Sequence, residues 1–155
     1  MTQTHDWLAG FVAEQAARKT AAAALFARNK AAIIPALANL GLAMIELAYD
    51  GMGDSGCVEQ PDYFGPDGEA LAAPKLAVDI EEFTGGVCEV ARVSRPLGEA
   101  LTELAYHALE SHHPGWEING GACGTFRIDV AENLMVLCCS LRTTEYFEDE
   151  IGGAA

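Results

Sequence analysis

The feature that most constrains this chain is a change of hydrophobic period. From about Thr4 to Leu40, Trp7, Phe11, Phe26, Ile33, Leu37 and Leu40 recur near helical spacing, and TAAAALFARNKAA is alanine-rich in the manner of a strong helix. At LAMIELAY the period becomes two: Ile45, Leu47 and Tyr49 share one side, and Met44, Glu46 and Ala48 the other, as in a half-buried strand. A chain that begins this way must pack a long helix against a sheet. Pro35 removes one helical hydrogen bond, so a kink or a meeting of two helices is expected near Arg28 to Pro35, with Gly41 as the stop.

Beyond Tyr49 the pattern continues in short pieces. Cys57 to Gln60 reads as a short return strand, and PDYFGPDGEALAAP, with its prolines and glycines, as a loop. KLAVDIEEF fits a strand or a helix, and GVCEVARVS fits a strand. Ser94 or Arg95 is expected to cap a helix with Pro96 at its first position. Leu97, Leu101, Leu104, Ala105 and Ala108 would line its inner face, Glu99, Glu103, His107 and Glu110 its outer one, and Pro114 would end it. TFRIDV alternates cleanly, with Phe126, Ile128 and Val130 on one side. A turn at Ala131 to Asn133 would return the chain through LMVLCCSLR as a hairpin. The expected fold is one α+β domain over residues 1–155: a mainly antiparallel sheet of about five strands with helices packed on one face, and residues 1–40 as an N-terminal helical segment.

Charge narrows the function classes. The 155 residues carry 23 acidic and 9 basic side chains, a formal net of −14. The first thirty residues sum to +2 and the remaining 125 to −16. Such a body repels phosphate backbones, which argues against direct nucleic-acid binding and for basic partners. The N-terminus lacks the pattern of a signal peptide, and charged residues or glycine break the apolar stretches before the roughly 20 residues of a bilayer span. Cytoplasmic residence is the expectation, with no membrane. The five cysteines, Cys57, Cys88, Cys123, Cys138 and Cys139, form no Cys-x-x-Cys pair, so neither a disulfide framework nor a zinc site is expected.

Two stretches carry candidate chemistry. YDGMGDSG, residues 49–56, places Ser55 in a Gly-Asp-Ser-Gly setting, but a serine nucleophile needs a positioned His and carboxylate; the only upstream His is His5, in the terminal helix, and partnership in space with the downstream His107, His112 or His113 stays open. An EF-hand fails on register, because counting from Asp50 puts Met52 at position 3 and Pro61 at position 12. A looser divalent site from Asp50, Asp54 and Glu59 stays open beside the plainer reading of a glycine turn. HHPGWEINGGACG offers Trp116, Glu117 and Asn119 as a polar and aromatic patch, or simply a helix end with Trp116 packed against it.

YDGMGDSGCVE, LTELAYHALESHHPGWEINGGACGTFRIDV and TTEYFEDE together resemble a family of small uncharacterised proteins found in bacteria, plasmids and phages. Its members share a Gly-Asp-Ser-Gly loop, a Gly-Trp-Glu turn and a Gly-x-Phe-x-x-Asp strand. Val58 stands where isoleucine is expected, and Cys123 where the family often has tyrosine. The resemblance implies a shared α+β fold and cytoplasmic residence, and transfers no activity.

Charge and resemblance together give the functional expectation of a non-enzymatic interaction module, in its sharper form a mobile-element-encoded, anti-CRISPR-like mimic of nucleic acid. It would engage a basic, nucleic-acid-handling partner without a cofactor, and a homodimer is allowed. The interaction set is Asp50, Asp54, Glu59, Glu99, Glu103, Glu110, Trp116, Glu117, Glu145, Glu148, Asp149 and Glu150. The competing class is a metal-dependent hydrolase using Asp50, Asp54 and Glu59.

Overall fold

The computed structural model describes residues 3–52, 55–84, 89–113 and 121–141. Helix α1 (Gln3–Asn39) leads into β1 (Met44–Met52), β2 (Ser55–Val58), β3 (Asp62–Phe64) and β4 (Ala70–Leu71). A hairpin of β5 (Ala77–Phe83) and β6 (Val90–Pro96), helix α2 (Leu97–His112) and a second hairpin, β7 (Ala122–Asp129) and β8 (Leu134–Leu141), complete the described chain. The main sheet runs β4-β3-β1-β7-β8 with β2 also on β1, every pairing antiparallel, and β5-β6 forms a separate two-stranded sheet. This is an α+β fold.

Alternation sets the core. Ile45, Leu47 and Tyr49 of β1 are buried and lie in register with Ile128, Phe126 and Gly124 of β7. They share one hydrophobic cluster with Ile33 and Leu37 of α1, Val78 and Ile80 of β5, and Leu97, Leu101, Leu104 and Leu109 of α2. Each fully buried Leu or Ile stabilises the fold by roughly 1.5–3 kcal/mol.

The structure corrects several expectations. Residues 3–39 form a single helix with Pro35 inside it, so of the two alternatives, a kink or a meeting of two helices near Arg28 to Pro35, the second is overturned. Pro35 is exposed, so the Ala31 carbonyl, also on an exposed residue, can be satisfied by water. The stop at Gly41 is as expected, and its geometry is specific: with φ at 74°, the Gly41 N–H bonds the Ala38 carbonyl at 3.0 Å and the Leu42 N–H reaches back to Leu37 at 3.2 Å. This Schellman closure sends buried Leu42 onto buried Leu37. Neither Ser94 nor Arg95 caps α2. Strand β6 runs on to Pro96, which is the N-cap in extended conformation without a side-chain bond, and the first helical N–H, on Leu97, is taken by the Leu76 carbonyl at 2.8 Å. The segment PDYFGPDGEALAAP contains β3 and β4, pieces of three and two residues that are too short to show a period. KLAVDIEEF contributes β5, with Val78 and Ile80 inward. The mainly antiparallel sheet is as expected, with six strands, and the β5-β6 ribbon is a separate two-stranded sheet.

By length and composition Trp7–Asn39 could cross a membrane, against the expectation from its charged interruptions. Part of that apolar content serves the fold, since Leu25, Ile33, Ile34 and Leu37 are buried inside the protein.

Candidate interaction surface

Helix α2 presents its carboxylates in one stripe because their spacing matches the helical repeat. Glu99, Glu103 and Glu110 stand four and seven residues apart, within about 40° around the axis at 100° per residue, and all three are exposed. The opposite side of the helix, Leu97, Ala100, Leu101, Leu104, Ala105, Ala108 and Leu109, is buried, which fixes the outward direction of the stripe. Tyr106 lies near the stripe and its hydroxyl accepts the Val58 N–H at 3.0 Å, tying α2 to β2.

The stripe borders a cleft of about 380 Å³ lined by Gln60, Glu82, Arg95, Gly98, Glu99, Thr102 and Glu103. Arg95 donates two hydrogen bonds to the Glu82 carboxylate, Nε to Oε2 at 2.9 Å and Nη2 to Oε1 at 2.8 Å. These bonds hold the Glu82 carboxyl below its ordinary pKa, and the same partner raises Arg95, with Glu99 and Glu103 adding to it at longer range. Among the described residues Glu99 and Glu103 form no ion pair, so one guanidinium faces three carboxylates.

The second element of the surface is β5, held in place by α1. Asn29, a buried polar side chain, reads the backbone of Glu81 from both ends: its Nδ2 donates to the Glu81 carbonyl at 2.9 Å and its Oδ1 accepts the Glu81 N–H at 2.8 Å. The amide thus stands in for a neighbouring strand along the edge of β5 that β6 does not cover. Arg28 pairs with the Glu81 carboxylate beside it. Helix α2 also meets α1 where the His107 ring packs edge-on against Phe26 at 5.7 Å between centroids. His107, expected outside, is half-buried there, and burial lowers its pKa.

The remaining expected residues are distributed elsewhere. Asp50 lies on β1 in register with Cys57 on one side and Cys123 on the other, on the sheet face opposite Leu47 and Tyr49. The buried side of α2 belongs to the cluster of Leu47 and Tyr49, so the sheet separates Asp50 from the α2 stripe. Glu59 follows β2, with its N–H bonded to the Ala48 carbonyl at 2.8 Å. Asp54, Trp116, Glu117, Glu145, Glu148, Asp149 and Glu150 lie outside the described residues, as do Cys88 and Pro114. Ser55 opens β2 in register with Met52, so residues 49–52 and 55–56 of YDGMGDSG lie on the paired strands β1 and β2, and Gly53 and Asp54 lie outside the described residues. Among the described residues no group of three His, Cys, Asp or Glu side chains is placed to hold a metal ion.

Sequence reasoning missed Glu82, Arg95 and Gln60. The pattern Val78-x-Ile80 followed by two glutamates was the available signal for an acidic strand end.

Fold and surface together define a small α+β domain with an acid-lined cleft between a helix and a hairpin. The chain belongs to the family of unknown function DUF6878, whose model matches residues 25–150. That span begins inside α1, at the turn that carries Leu25 into the core. No curated protein matches the chain. No solved structure matches it either.

Proposed function

We propose that this protein is a binding module that recognises a basic protein partner through the α2 stripe and the adjoining cleft. The observation that carries the reading is the alignment of Glu99, Glu103 and Glu110 on one exposed face beside Glu82, in a body whose formal charge is strongly negative. A cleft with more carboxylates than cations favours a Lys or Arg side chain inserted into it, because partial exclusion of water strengthens each charge-assisted bond. Arg95 gives such a guest an orientation, since it orders Glu82 and leaves Glu99 and Glu103 to the incoming cation.

The finer form of the proposal is a mobile-element inhibitor that occupies a basic nucleic-acid channel. Glu99 to Glu110 spans about 16 Å at 1.5 Å per residue, and a nucleic-acid strand sets a phosphate about every 3.4 Å along its axis. Three carboxylates therefore supply roughly three-fifths of the charge of one strand over that length. Glu82 brings the surface closer to it, so the reading is of local mimicry at a few phosphate positions.

A comparison of variants with equal net charge tests the module. Glu99→Gln, Glu103→Gln and Glu110→Gln combined should abolish retention of the basic partner from a lysate of the host. Asp62→Asn, Asp67→Asn and Glu132→Gln combined should retain it. Equal loss in both would mean that bulk charge alone attracts, and the proposal would fail.

A further inference from the structure

The first half of α1 stands clear of the domain. Every residue from 7 to 20 is exposed, and among them Trp7 is 69% exposed, Leu8 51%, Phe11 49% and Val12 59%. These four occupy an arc of about 140°. Trp7 and Phe11 stack with ring centroids 5.9 Å apart, so part of the ridge is already ordered. Scattered exposed apolar residues are ordinary, whereas a contiguous set of this size marks a contact surface.

We infer that this ridge pairs with the same segment of a second copy of the chain, the two helices antiparallel about a two-fold axis near Ala16. Size pattern and charge both favour that occupant. On the face of α1 that carries the ridge, the bulky residues fall at 7, 8, 11 and 12, and small residues follow at Ala16, Ala22 and Ala23, which line the adjoining groove. In the antiparallel pair a residue faces its counterpart on the far side of the axis, so each bulky ridge lies level with residues 20–25 of the partner, where the same face carries Ala22 and Ala23. A parallel pair would set bulk against bulk. The open groove between α1, β5 and α2, about 1390 Å³ and lined by Val12, Ala16, Lys19, Ala23 and Phe26 of α1, gives the incoming ridge room beside those alanines.

Glu14 and Arg18 supply the complementarity. They pair within one chain at 2.9 Å across one helical turn, so both lie on the same flank of α1. A two-fold axis perpendicular to the helices brings like flanks together, which sets Glu14 of each copy against Arg18 of the other. The contact is isologous and closes on itself.

Sedimentation equilibrium on the full chain tests the pairing, with phosphatidylcholine vesicles as a second arm for the rival lipid occupant. The wild type should be a dimer. Glu14→Arg alone and Arg18→Glu alone should each self-associate at least about tenfold more weakly, through repulsion at both symmetric contacts. An equimolar mixture of the two variants should recover the dimer, because the heterodimer restores opposite charges at both sites. Both side chains are exposed, and circular dichroism should show unchanged folding. A wild type that stays monomeric, whether or not it binds the vesicles, would overturn the inference. So would single variants that dimerise as tightly as the wild type, or a mixture no tighter than either.

Discussion

At Gly124 a methyl group is the difference between a closed sheet and a strained one. A Cβ there would lie 2.0 Å from the Cys138 carbonyl oxygen on the neighbouring strand and 3.0 Å from the Tyr49 hydroxyl. The space is already used: Tyr49 donates to that same carbonyl at 2.7 Å, and burial pushes the phenol above its ordinary pKa. Gly124→Ala should therefore cost about 2–3 kcal/mol by overpacking, and Tyr49→Phe about 1 kcal/mol for one lost hydrogen bond. Urea denaturation measures both, and a neutral Gly124→Ala would refute the close approach. His107 makes a pH prediction. Its pKa is lowered by burial, so below the ordinary histidine range the unfolded chain binds the proton more readily and stability falls with pH. Between pH 7.5 and pH 5.5, wild type should lose stability relative to His107→Phe, which keeps a ring against Phe26. A difference that stays constant with pH would contradict this. Periodicity placed Tyr49 inward and His107 outward, but the close approach at Gly124 and the half-burial of the His107 ring were not legible, because both arise between distant segments.

Among the elements, the join between α1 and β5 depends on Asn29. Asn29→Ala leaves the Glu81 N–H and carbonyl without their side-chain partner at a part-buried edge and should destabilise the protein by about 1–3 kcal/mol. Hydrogen exchange at Glu81 should rise more than exchange in β1 or β7. A uniform rise would show that the clamp is not local. Elements with a sustained period were readable in advance: α1 by its alanines and apolar repeat, β1 by Ile45, Leu47 and Tyr49, the β7-β8 hairpin by TFRIDV, and α2 by its inner leucines. Strands β3 and β4 were not readable, since three residues and two cannot establish alternation and are held by pairing to β1 and β3. The start of α2 was misplaced because the carbonyl of Leu76, far upstream of Leu97, takes the role expected of a cap.

For the whole molecule, the distribution of charge governs the reading. The stripe on α2 was legible, because Glu99, Glu103 and Glu110 fall on one helical face by spacing alone. Its continuation into the cleft was not, since Glu82 and Arg95 come from a hairpin whose docking beside α2 is a tertiary fact. Asp50 illustrates the converse, being close in composition to the other acids and yet on the opposite face of the sheet. Under the proposal of an electrostatic, exposed contact, partner affinity should fall as salt rises. The most direct test is carbodiimide footprinting of carboxylates in the free chain and in its complex with the captured basic partner. Labelling of Glu99, Glu103 and Glu110 should drop on binding while that of Asp62, Asp67 and Glu132 stays constant. Protection spread evenly over all six, or confined to the second set, would contradict a recognition face on α2.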